Sequence, residues 1–359
     1  MTTVRDIAQA AGVHHSTVAR ALKNDPRLSE STRKGLRHLA DRMGYRENPF
    51  LSSWMAQRHG RTKRRFSVPL GYLVGYKNMS LWENSPGVYR YFCGARDRAR
   101  ELGCELEPFW LWEKGMTARR MSNILRYRGI RGVLIGSFQV AHAHLALPWE
   151  HFTAVAQAYS LVRPNFSRTA NNYMGTMKEV LRQLRKKGYH RIGHVVTGAV
   201  DARVRYQWSS TFLHYQQQIA SDQRIPNLVL EKLDWDRIGR WLKKHKPGAV
   251  ISPHTELPEY FLQKGICMPE ELGYATTDWQ ENPYGLSGVD QCVEKAGAAA
   301  MDLLIQKIML NETGLDADPR VVLTEGRWVE GRTLRSGKRA ASLVHLPRET
   351  YLDRAPTLK

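Results

Sequence analysis

His14, His15, Ser16 and Thr17 stand in a row, with Arg20 about one helical turn further on. Hydroxyls and imidazoles both donate and accept hydrogen bonds, and a guanidinium grips two acceptors at once. On one face, these groups could bond the edges of nucleic-acid bases and the oxygens of phosphates. That chemistry needs a narrow, rigid platform, and the flanking residues supply one. Val4, Ile7, Ala8 and Ala11 recur at the spacing of one helix face, and Gly12 sits where a helix end favours positive φ. A second helix over about 14–22 turns Val18, Ala21 and Leu22 inward and leaves the polar row outward. A third starts at a Ser29 cap, buries Leu36, Leu39, Ala40 and Met43, and ends at Gly44. Helix, tight turn, helix is the layout in which the start of the second helix enters the major groove of DNA.

Charge supports the same partner. The formal net charge is +20, which attracts polyanions. Residues 1–66 carry fourteen Lys or Arg against five acids, so the excess is concentrated where the helices are. The segment that follows the helices is unusual for a linker. Asn48-Pro49 is a helix-start signal, yet the helix it opens stops within three turns and is marginal by itself. It carries Phe50, Leu51, Trp54 and Met55, apolar wedges of the kind inserted into a minor groove, and leads into the basic run Arg58 to Arg65.

The stretch from Val4 to Tyr45 resembles the DNA-binding head of the LacI/GalR family of bacterial transcriptional regulators, and Asn48 to Ala56 resembles that family's hinge helix. The resemblance implies that His15 and Ser16 read the major groove, that Arg20 contacts base or backbone, that Thr17, Ser29 and Thr32 bind phosphate, and that Trp54 enters the central minor-groove step. With their neighbours, the expected DNA-facing set is Thr3, His14, His15, Ser16, Thr17, Arg20, Lys23, Ser29, Thr32, Asn48, Trp54 and Met55. Ala19, Lys23 and Trp54 depart from the family's usual Ser, Asn and Leu.

From Pro69 onward, apolar runs such as Leu70 to Val74, Gly132 to Gly136, Arg191 to Val196 and Gly273 to Thr277 alternate with amphipathic stretches. Such alternation gives parallel sheets covered by helices, with ligands bound beyond the carboxyl ends of the strands. This body resembles the family's effector domain, two lobes of the periplasmic sugar-binding type with a small molecule between them. The resemblance implies that Arg203 and Asp278 bond ligand hydroxyls, that Asn172 adds a polar contact and that Trp235 stacks on a sugar face. Pro253-His254 stands where the family usually has Asn-Asp.

The expected fold class is therefore α/β: a three-helix helix-turn-helix head over 1–47, a hinge helix and basic linker over 48–66, and a two-lobed periplasmic-binding-protein-like domain with parallel sheets over 67–340. Lobe one is read as about 67–188 and 289–315, lobe two as about 189–288 and 316–340. The tail 341–359 is unassigned. The expected protein is a cytoplasmic, bacterial, dimeric repressor of a near-palindromic operator, controlled by an effector of the carbohydrate class. A non-sugar metabolite or corepressor is an alternative effector, and a solute-binding protein an alternative class. No catalytic residue, cofactor or metal site is expected. The phosphate-loop candidate from Gly331 to Arg339 has the wrong length and ends in Arg, and Cys93, Cys104, Cys267 and Cys292 lack metal-site spacing. No run of eighteen or so apolar residues suits a membrane span.

Overall fold

The computed structural model describes residues 4–22, 24–45 and 68–336. Two compact units divide near Val68. In the first, α1 (Val4–Ala11), α2 (His15–Leu22) and α3 (Glu30–Arg42) pack around Ile7, Ala8, Val18, Ala21, Leu36 and Ala40. Each larger side chain buried here is worth about 1.5–3 kcal/mol, which a core this small depends on. Leu39 and Met43, expected inside, pack at the margin of that core. Gly12 and Gly44, at φ +65° and +69°, end α1 and α3 in the left-handed conformation that glycine adopts without strain.

The second unit contains fourteen strands: β1 (Val68–Val74), β2 (Cys104–Trp110), β3 (Gly132–Ile135), β4 (Ala143–His144), β5 (Thr153–Gln157), β6 (Leu161–Arg163), β7 (Arg168–Asn171), β8 (Ile192–Thr197), β9 (Leu228–Leu230), β10 (Ala249–Ser252), β11 (Gly273–Thr276), β12 (Ser287–Asp290), β13 (Val321–Thr324) and β14 (Arg327–Val329). They form two six-stranded sheets, ordered β13-β7-β5-β3-β1-β2 and β14-β12-β11-β10-β8-β9, plus the short pair β4-β6. Central strands β3, β5, β8, β10 and β11 are buried along their whole length. A parallel strand covered on both faces requires this, which is why the sequence shows continuous apolar runs there rather than alternation. In the first sheet Gly71 lies opposite Val133, and Val133 opposite Ala154. In the second, Ala249 lies between Ile192 and Gly273.

Each sheet carries its own apolar core, with Leu73, Ile135 and Phe152 in one and Ile192, Phe212 and Ile251 in the other. The chain passes between the sheets three times: from β7 to β8, from β12 to β13, and from β13 to β14. Reading 316–340 as wholly second lobe therefore misplaces Val321–Thr324, which adds in parallel to β7 at the edge of the first sheet. Arg327–Val329 pairs antiparallel with β12 in the second. Only Glu325-Gly326 separates the two strands, too short a connection for composition to mark.

Two helices meet without side-chain spacers. A Cβ added at Gly94 in helix Pro86–Glu101 would lie 2.1 Å from the Glu294 carbonyl oxygen, and one at Gly297 in helix Val293–Met309 would lie 2.1 Å from the Tyr91 carbonyl oxygen. The backbones touch, and that contact fixes the position of Tyr91.

Candidate functional site

In the head, His14, His15, Ser16 and Arg20 are exposed and Thr17 is half-buried, so one solvent face of α2 carries the polar row. His14 precedes the helix, and its carbonyl accepts the first turn's hydrogen bond from Thr17 N–H at 2.9 Å. Its ring does local work too. His14 Nδ1 accepts from Ser16 N–H at 3.4 Å and lies 2.8 Å from Ser16 Oγ. When Nδ1 carries no proton, the Ser16 hydroxyl donates to it at the shorter distance. His14, expected as a DNA contact, thus caps α2 and orients Ser16. His15 lies beside it with ring centroids 4.0 Å apart.

Ser29 is the cap of α3. Its hydroxyl accepts from Thr32 N–H at 3.2 Å and lies 2.7 Å from Thr32 Oγ1. These two expected phosphate ligands share a helix N-terminus, where exposed N–H groups favour an anion. Several neighbouring cations are tied down: Arg27 pairs with Asp25 at 2.6 Å, Arg33 bonds Asn24 and Arg37 bonds the Leu22 carbonyl. Arg27 holds the Asp25 carboxyl down at about 2. The Arg20 side chain has no ion pair or hydrogen bond among the described residues. Thr3, Lys23, Asn48, Trp54 and Met55 lie outside the described residues.

The body has a cleft of about 170 Å³, room for one small solute. Positions just past strand ends line it: Tyr76 after β1, Ser137 after β3, Ala158 after β5, Asp278 after β11 and Gln291 after β12. This is where a doubly wound sheet leaves space for a ligand. Tyr91, Tyr173 and Trp208 enter from helices. Arg203, at the end of the short helix Gly198–Arg203 that follows β8 of the second sheet, donates to Ser137 Oγ at 3.2 Å and Tyr76 Oη at 3.5 Å, residues that follow β3 and β1 of the first. Burial pushes Asp278 up to about 6, against the opposing pull of Arg203 and Arg90. Burial also pushes Tyr173 up to about 12 and Tyr91 well above the ordinary phenol value, so both phenols are neutral.

Arg203 and Asp278 thus meet in the cleft, whereas Asn172 and Trp235 do not line it. Asn172 caps helix Tyr173–Lys186, accepting from Gly175 N–H at 2.9 Å while donating to Glu325 at 2.7 Å. The cap occupies its side chain, and the neighbouring Tyr173 lines the cleft instead; Tyr91, which also lines it, donates to the buried Asn171 Oδ1. Trp235 opens helix Trp235–His245, 38% exposed and stacked on Tyr260 at 4.9 Å. His254 also faces elsewhere, its Nε2 accepting from Thr197 N–H at 3.1 Å, and burial lowers its pKa. Trp208, Tyr91 and Tyr173 escaped sequence reading because nothing but the fold joins them. The strand-end rule was the signal available for Tyr76, Ser137 and Gln291.

Comparisons with known proteins fit this geometry. Residues 3–48 match the model of the bacterial regulatory proteins of the lacI family. A relative from Bacillus subtilis strain 168, described as a probable HTH-type transcriptional repressor ExuR, is 46% identical over 48 residues, which cover 13% of this chain and 14% of that protein. Among solved structures, the CelR regulator in complex with cellobiose is similar over 93% of this chain and all of that one, at 16% identity and a TM-score of 0.54. The Lac repressor dimer bound to operator and an anti-inducer is similar over 93% of this chain and 99% of that one, at 15% identity and 0.53. A periplasmic binding protein/LacI regulator from Alkaliphilus metalliredigens, complexed with D-xylulofuranose, is similar over 75% of this chain and all of that one, at 14% and 0.54. Residues 3–48 of this chain therefore match the lacI family of bacterial regulatory proteins, and the chain as a whole has a fold similar to that of these solved regulators.

Proposed function

We propose that this chain is a sequence-specific DNA-binding repressor of the bacterial cytoplasm, acting as a homodimer on a near-palindromic operator and controlled by a small polar effector of the carbohydrate class held in the cleft. The observation that carries the reading is the exposed polar row on α2 of a lacI-family head, joined in one chain to a two-lobed body with Arg203 and Asp278 in its cleft. A two-fold dimer would place two α2 helices in successive major grooves and bring two copies of residues 48–66 together at the operator's centre. The domain limits proposed with it are a reader over 1–47, a hinge over 48–66 and an effector-binding and dimerising body over 67–340. An effector that prefers one separation of the lobes would shift DNA affinity by that difference in binding free energy.

Selection of genomic fragments on the full chain, followed by gel shifts over a salt series, tests this. Recovery of one near-palindromic sequence, bound far more tightly than random duplex and losing affinity as salt rises, is expected. Fragments with no common sequence would overturn it.

A further inference from the structure

Two donors in the cleft have no acceptor. Arg203 Nε and Trp208 Nε1 are both buried without a hydrogen-bond partner, and both residues line the cleft. Trp208 is 2% exposed and wedged edge-on against Tyr173 at 5.6 Å, so water does not reach it from the surface. A guanidinium and an indole only donate. Leaving such groups buried and unpaired is unfavourable, so a ligand that supplies acceptors there gains what the empty cleft forgoes.

The surroundings favour a negative acceptor. Arg203 bonds only neutral hydroxyls, those of Ser137 and Tyr76. Behind the lining backbone of Ala158, the buried Arg168 is held by the Ala158 and Leu161 carbonyls and the Asn165 amide oxygen, at 2.9 to 3.1 Å. Arg205 lies over the Tyr159 ring at 4.7 Å. None of these three arginines forms a close ion pair with a carboxylate among the described residues, although Asp278 feels the charge of Arg203. Asp278 is the one carboxylate lining the cleft. A neutral polyol brings a hydrogen with every hydroxyl and needs acceptors to match, whereas a carboxylate brings two oxygens and no hydrogen. His254 adds no acceptor, because its Nε2 is taken by Thr197 N–H.

We propose that the effector is a small hydroxy-carboxylate of the sugar-acid class, its carboxylate seated between Arg203 and Trp208 Nε1 and a hydroxyl turned to Asp278. This rests on the cleft being the effector site. Trp208 is then the specificity-determining residue, because its N–H has a partner only when an acceptor group is present.

Isothermal titration of the full chain with hexuronates and aldonates, each paired with the neutral hexose or alditol of the same carbon skeleton, tests it. At least one acid is expected to bind tenfold or more tightly than its neutral counterpart, with the ratio falling as salt is added. Trp208→Phe keeps the ring and removes the donor. It is expected to weaken the acid about tenfold, the scale of a hydrogen bond to a charged group, and the neutral counterpart far less. Arg203→Gln is expected to abolish the preference. Should Trp208→Phe not fold, the wild-type ratio and its salt dependence decide the matter. Neutral sugars binding as well as or better than their acids, or no acid of the panel binding, overturns the proposal. Fragment selection needs no ligand, so a repressor that answers to a neutral sugar sinks this inference and leaves the regulator standing.

Discussion

On the proposed reading, and with His14 Nδ1 unprotonated, Ser16 would offer DNA an oxygen whose own hydrogen is engaged by that nitrogen. It therefore reads as an acceptor, suited to the amino groups of adenine or cytosine in the major groove. Replacing it with Ala is expected to relax the base preference at one operator position, costing about 1–3 kcal/mol there; repeating the fragment selection measures this, and an unchanged preference refutes it. Asp278 gives a stability prediction with a definite sign. Burial raises its pKa to about 6, so ionising it is harder in the folded chain than in the unfolded one. Below about pH 4 it is neutral in both states and makes no difference. Between about pH 4 and 6 the unfolded state ionises it while the folded state still holds the proton, so stability falls across that window and stays lower above it. Asp278→Asn should therefore melt a few degrees above the parent at pH 7.5 and level with it at pH 4, and an equal gain at both would contradict the assignment. At this scale the sequence was legible where a residue sat in a recognisable run, as Arg203 and Asp278 do, and illegible where a nearby residue of similar type was equally plausible. Trp235 had the better motif, but its helix cap turned it to Tyr260, and Trp208 took the cleft.

Helix ends were readable because their chemistry is local. Ser29 caps α3 as its position before Glu30 implied, and Ser29→Ala should cost about 1 kcal/mol in the urea unfolding of the head. Central strands were readable for a different reason: burial on both faces leaves an unbroken apolar run. Edge strands were not. Val321, Val322 and Leu323 are 50%, 38% and 48% exposed, and nothing in their composition says which sheet they join. The helix crossing at Gly94 and Gly297 was likewise silent, since a glycine in a helix has many explanations. Gly94→Ala must force apart backbones that already touch, and a loss of about 1–3 kcal/mol is expected. Because Tyr91 sits at that crossing and lines the cleft, effector affinity should fall as well. Thermal unfolding and titration of the same variant check both, and an unchanged affinity would separate the crossing from the cleft.

At the scale of the body, two sheets joined by three strand-to-strand passages form a cleft lined by residues that follow strands of both. Residues 69–335 are expected to become more compact when the effector binds, seen as a smaller radius of gyration in solution scattering with and without it. No change would argue against lobe closure as the signal. The three passages also set an order of events in time. A ribosome that has delivered everything up to Asp318 has made five strands of each sheet, and each sheet still lacks one edge. The missing strands, Val321–Thr324 and Arg327–Val329, then emerge almost together. Neither lobe finishes folding before the other, so a nascent chain cannot present a completed sensor lobe, and therefore a working cleft, until nearly the whole of it has been made.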